Sequence, residues 1–178
     1  MIEITKLVIE QDDFTLFTKL PATIHPETTT LQQALADQFL LSPQNSFFTH
    51  ATGAGFVAHK DGQPAGRIFA SVDDNLVQSE GQLTGHFGFF ACIDDQECAQ
   101  ELLRHAERWL REQNVTVVHG PVNLNIFTGY RIQMSGFDTP AFPGEPRNPT
   151  YYPRLLQNAG YDVFSTWRSW DMPNEYIS

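Results

Sequence analysis

Tyr151 and Tyr152 open a short helical segment, and Asn123 and Asn125 lie just past the end of a β-branched strand. Phenols and carboxamides both donate and accept hydrogen bonds, so these four side chains suit a polar small-molecule ligand. Ligands of open α/β sheets bind outside the carboxyl ends of the strands, which is where the two asparagines fall. Cys92 closes a second strand (86–92). Where two central strands part, the backbone amides of Ala91 and Cys92 are placed to polarise a carbonyl oxygen. The expectation is one pocket bounded by Cys92, Asn123, Asn125, Tyr151 and Tyr152. Each residue also has a plainer reading. Asparagines cap turns, tyrosines pack under loops, and a cysteine is more often buried than nucleophilic. His86 and His119 fall on the two central strands, where a structural histidine is the usual finding. No side chain declares itself as catalytic acid or base.

The segment that must position these groups runs from residue 85 to 125. An aromatic strand (86–92) passes through Asp94 and Asp95 into a helix that ends near Asn114, and a second strand follows at 115–119. Cys98, Leu102, Leu103, Ala106, Trp109 and Leu110 recur at three- and four-residue spacing and form one apolar stripe. Asp94 and Glu97 have the spacing of a capping box, and Arg108 and Arg111 suit the negative end of the helix dipole. Strand, helix and strand make a βαβ unit with a right-handed crossover.

The rest of the chain surrounds that unit. Residues 2–9 read as a first strand. Asp12 or Asp13 caps a short helix carrying Phe14, Phe17 and Leu20 and stopped by Pro21, and a second amphipathic segment with Leu31, Leu35, Phe39 and Leu40 ends at Pro43. Strands at 56–59 and 65–72 flank Asp61-Gly62, a hairpin signal because glycine accepts positive φ. Residues 73–81 are turn-like. Residues 120–149 hold five prolines and no period, yet Phe127, Tyr130, Ile132, Met134, Phe137 and Phe142 make the stretch too apolar for disorder. A short helix at 151–159 stops at Gly160. A sixth strand spans 163–170, and Pro173 closes the pattern. The fold class is α/β: one domain over 1–178, a mixed sheet of about six strands, and helices on both faces.

Composition narrows the partners. A net charge of −10 and a pI near 4.8 argue against nucleic acid and anionic membrane. No apolar run approaches the length of a membrane span. The start lacks a secretory signal, and two cysteines make neither a disulfide framework nor a zinc site, so a cytoplasmic protein without metal is expected.

Several phrases carry a family resemblance: NSFFTHA (45–51), DGQPAGRI (61–68), GHFGFFAC (85–92), HGPVN (119–123) with SGFDTP (135–140), and NPTYYPRLLQNAGY (148–161). With the order of elements, they resemble the GNAT (N-acetyltransferase) superfamily, and within it a bacterial branch of GNAT-like proteins. The resemblance implies an acyl-CoA-dependent N-acyltransferase with the thioester held by the central βαβ unit. The chain departs from the pattern twice. Where GNAT enzymes carry a glycine-containing turn for the pyrophosphate, this chain has Asp94, Asp95 and Glu97 and no glycine. Carboxylates at a helix start disfavour a phosphate by roughly 0.3–1 kcal/mol each, so weak CoA binding is expected. Leu156 stands where many GNAT enzymes place a tyrosine acid. A catalytically inactive GNAT-derived binding or oligomerisation module is therefore the competing reading. The family's seventh strand is also absent, which leaves the 163–170 edge to a homodimer or a C-terminal partner domain.

Overall fold

The computed structural model describes residues 1–27, 29, 31–76, 83–140 and 144–170. Part of the 73–81 turn, Phe142 and Pro173 lie outside them. Among the described residues the sheet has five strands in sequential order, β1 (Ile2–Val8), β2 (Ala51–Lys60), β3 (Gln63–Asp73), β4 (Thr84–Cys92) and β5 (Val117–His119). The first four are antiparallel neighbours, and β5 runs parallel to β4. The expected sixth strand is not formed. Residues 161–170 run without regular pairing, and Phe164 and Trp170 point their rings largely into solvent. The β-branched and aromatic residues there suit a strand, but no neighbour among the described residues supplies the ladder. The edge expected to recruit a second copy is therefore not a strand.

The helix α3 (Gln96–Glu112) crosses one face and buries the predicted stripe together with Ala99. It packs with Phe56, Ile68, Phe87 and the last helix, α4 (Tyr152–Asn158), in one core. The opposite face holds a second core under α1 (Thr15–Ile24) and α2 (Leu31–Leu40), built on Phe17, Leu20, Phe69, Phe89 and Leu124. Phe87 and Phe89 would share a face in a regular strand, since side chains alternate. They enter different cores because β4 breaks register against β3 at this point, with Phe89 at φ +50°.

Three local expectations are corrected. Pro21 does not stop α1 but sits inside it, and the helix continues to Ile24. In α2 the inward residues are Ala34 and Asp37, followed by Leu41 just past its end, while Leu35 and Phe39 are exposed. The rotation brings Asp37 to Arg67 of β3 at 2.5 Å, and both side chains are almost fully buried. The cap of α3 is Asp95 rather than Asp94, its carboxylate accepting from the Cys98 amide at 2.9 Å. The hairpin is as expected: Asp61 and Gly62, at φ +50° and +80°, join β2 to β3.

Candidate functional site

The outer edge of β4 organises the site. Its ladder to β5 covers three residue pairs and ends at His86 and His119. Beyond that point β4 continues to Cys92, and its outward backbone groups need other partners. The amide of Val122 donates to the Phe87 carbonyl at 2.7 Å, and the amide of Phe89 donates to Asn123 Oδ1 at 2.6 Å. The chain at 122–123 lies so close that a Cβ on Gly88 would overlap the Val122 carbonyl.

At the end of the strand the Cys92 amide donates to Tyr152 Oη at 3.0 Å. The Cys92 carbonyl accepts from Tyr151 Oη at 2.9 Å and lies 3.1 Å from His25 Nε2. That same nitrogen is 3.0 Å from Tyr152 Oη. Of the two amides expected to be free, those of Ala91 and Cys92, that of Cys92 is therefore taken, as buried backbone donors almost always are.

Burial sets the protonation here. His25 is held below the ordinary histidine value, chiefly by desolvation, and burial raises both tyrosines well above theirs. A neutral imidazole carries one ring proton, so Nε2 either donates to the Cys92 carbonyl or accepts from Tyr152, not both. The Cys92 thiol is pushed far up, first by its hydrogen bond with Cys98 and then by burial, so it stays a thiol and not a nucleophile. The sequence offered no spacing that linked His25 to residues 92, 151 and 152. It reads there as part of a polar stretch. Arg67 and Asp37 were missed for the same reason.

The amino end of α3 is occupied as well. Lys60 pairs with Asp95, and Arg154 of α4 pairs with Asp94. Gln96 Nε2 donates to the Leu155 carbonyl at 3.0 Å, which ties α4 to the start of α3.

A cleft of about 1740 Å³ opens beside β5, between residues 120–136 and 161–170. Its walls include His86, His119, Phe127, Tyr130, Trp167 and Trp170. His119 stacks on Phe164 at 4.8 Å between ring centroids. Arg131 lies over the Tyr130 ring at 4.4 Å and beside Trp167, and pairs with Glu145 at 3.2 Å. Of the five residues expected to share a pocket, Asn125 lines this cleft and the other four do not. Asn125 also accepts from the amides of Phe127 and Thr128. Cys92, Tyr151 and Tyr152 gather with His25, and Asn123 sits between the two groups. Phe127 does not fill the strand gap, being 90% exposed. Among the described residues no His, Cys, Asp or Glu group could hold a metal ion, and no helix is long and apolar enough to cross a membrane.

The fold is that of the GNAT acetyltransferases. The aminoglycoside acetyltransferase AAC(6')-Iy, solved with the bisubstrate analog CoA-S-monomethyl-acetylneamine, superposes with a TM-score of 0.57 at 15% identity. The match covers 97% of this chain and 99% of that one. A GCN5-related N-acetyltransferase from Ralstonia eutropha gives 0.53 at 13% identity, over 97% and 99% of the two chains. No family model matches the chain. In sequence the chain is 39% identical over 123 residues to the bacterial ceramide synthase of Caulobacter vibrioides, covering 68% of this chain and 32% of that protein. It is 29% identical over 170 residues to protein YghO of Escherichia coli, covering 92% and 44%. The chain thus spans less than half the length of the curated relatives it matches.

Proposed function

We propose that this chain is an N-acyltransferase-type domain that binds a long apolar chain in the cleft beside β5. The cleft carries the reading. At about 1740 Å³ it exceeds the roughly 300–1,000 Å³ of ordinary small-molecule sites, and it meets β4 at Phe87 and His86, where the parallel ladder stops. The likeness to a ceramide synthase supports acyl transfer to an amine, and an aromatic wall suits a hydrocarbon acyl group or an amine with a hydrocarbon tail.

Coenzyme A, which the fold implies, does not fit the β4–α3 unit as it stands. The Cys98 amide at the start of α3 is capped by Asp95, and the edge amides of β4 are taken by Asn123 and Tyr152. Electrostatic repulsion is the smaller obstacle, because Lys60 and Arg154 neutralise two of the three carboxylates. Occupied amides are the larger one. The same observation favours a second reading, a binding or oligomerisation module without CoA.

Thermal shift separates the two. A ligand at a hundred times its Kd stabilises the folded state by about 2.7 kcal/mol. Palmitoyl-CoA is expected to raise the midpoint while CoA and acetyl-CoA leave it nearly unchanged. No shift with palmitoyl-CoA, hexadecanoic acid or a C18 amine would leave the non-catalytic module as the reading.

A further inference from the structure

We propose that Arg131 anchors an anionic head group, a carboxylate or a phosphate monoester, on the long-chain molecule that occupies the cleft beside β5. The inference rests on the reading of that cleft as the seat of an apolar chain, and it names the polar end of the ligand.

Arg131 is held flat and in one place. Its guanidinium lies over the Tyr130 ring at 4.4 Å and 5.6 Å from the centre of the Trp167 ring, and all three residues line the cleft. Stacking on aromatic faces fixes the plane of a guanidinium and leaves its N–H groups, which lie in that plane, free to bind. The backbone of Arg131 is left-handed, at φ +78°, and its amide donates to the Pro121 carbonyl at 3.0 Å. Strain of this kind persists where the surroundings impose it, and it gathers at ligand clamps.

The donors of Arg131 are incompletely used. Glu145 approaches one nitrogen, Nη2, with one oxygen, Oε2, at 3.2 Å. Its other oxygen accepts from the Ser169 hydroxyl at 3.0 Å, so Glu145 does not grip the guanidinium at two points. Nε shares an edge with Nη2, is shut off from solvent and has no hydrogen-bond partner. A buried donor without an acceptor is rare and disfavoured. A carboxylate or phosphate presents two oxygens at the spacing of the Nε–Nη2 edge and satisfies both donors at once. Glu145 is then the resident competitor, and with its side chain 30% exposed it can turn to solvent. The remaining surface suits a tail. Phe127 and Trp170 also line the cleft and present exposed rings that a hydrocarbon would cover.

Calorimetry with dodecanoic acid, dodecyl phosphate, dodecanol and dodecylamine, each below its micelle concentration, tests the anchor. One of the two acids should bind the wild-type chain about five- to tenfold more tightly than dodecanol, and the tighter acid identifies the head group. Arg131→Gln should bring that ratio close to one with dodecanol unchanged. Glu145→Gln removes the competitor and should raise the ratio. A merely structural ion pair would respond alike to its loss from either side. If Arg131→Gln does not fold, as read by circular dichroism, Arg131→Lys keeps the charge, loses the fork and should lower the ratio about threefold. Acid and alcohol binding alike in the wild type overturns the anchor and leaves the apolar cleft standing. Dodecylamine as the tightest ligand, with that preference lost in Glu145→Gln, overturns it in favour of a cation held by Glu145. Binding of none of the four overturns both the anchor and the apolar-chain reading.

Discussion

Lys60 and Asp95 form an ion pair across the amino end of α3, and the same carboxylate caps the helix through its other oxygen. One side chain thus ties the hairpin end of β2 to the helix that carries the core. The two roles are separable by substitution. Asp95→Asn keeps a cap and loses the ion pair, which at a half-exposed lysine contributes about 0–1 kcal/mol. Asp95→Ala loses both and should cost about 1–2 kcal/mol, most of it from the cap. Urea midpoints of the two variants read the difference. The Asp95 carboxyl is held below its ordinary value of 3.8 by Lys60 first and the Cys98 amide second. Its contribution is therefore present above pH 4 and lost as pH falls through the depressed folded value.

The occupied helix start also sets the expected affinity for nucleotide. Calorimetry with CoA at physiological salt should give a dissociation constant weaker than micromolar. A micromolar or tighter value would show that Asp95 yields its place.

Arg67 and Asp37 make the most consequential buried contact. The guanidinium lies over Phe17 at 4.9 Å, donates to the Phe17 carbonyl at 2.8 Å, and leaves Nε without a hydrogen-bond partner. Asp37→Ala strands a buried cation and should cost about 3–5 kcal/mol. For a chain of this size that is a fall of roughly 10 °C in Tm. Replacing the pair together, Arg67→Met with Asp37→Leu, should recover most of the loss, since it removes both charges from the apolar core. A double variant as unstable as Asp37→Ala would refute this account.

His25 predicts an acid limb. Its folded value lies below the ordinary 6.5 because burial disfavours the imidazolium. The unfolded chain therefore binds the proton first, and stability is full above about pH 6.5 and declines as pH falls toward the folded value. Thermal midpoints from pH 8 to 5 should show that decline, and His25→Gln should flatten it.

Gly88 is predicted to be intolerant. A methyl group there meets the Val122 backbone, which is itself bonded to Phe87, so Gly88→Ala should push residues 122–123 off the strand edge. Overpacking of this kind costs about 1–3 kcal/mol. Limited proteolysis should cut near residues 122–131 in the variant and not in the wild type.

The sequence made the central unit legible because a helical stripe of six residues and an aromatic strand are local signals. α3, the Asp61-Gly62 turn and α4 all follow from residues within one or two turns of each other. The errors fall where a distant partner decides. Asp37 turns inward for Arg67, thirty residues away, and so overrides the apolar spacing of Leu35 and Phe39. Residues 163–170 have the β-branched and aromatic composition of a strand without a neighbour to pair. Among the expected site residues, Tyr151, Tyr152 and Cys92 do meet, but around His25, which only the folded chain brings to them. Asn123 and Asn125 are only two residues apart, and the sharp path of residues 122–128 sends one to the strand edge and the other to the cleft.

The stacking of Arg131 beside Trp167 makes the cleft optically addressable. Of the three tryptophans, Trp109 on α3 is buried in the core, does not line the cleft, and gives a constant background. Trp167 and Trp170 line the cleft and are largely open to solvent, so their emission follows the polarity around them. A hydrocarbon chain laid across them should shift that emission to the blue and shield it from acrylamide. The protein thus carries its own probe of occupancy, with Trp167→Phe as the control that silences half of it.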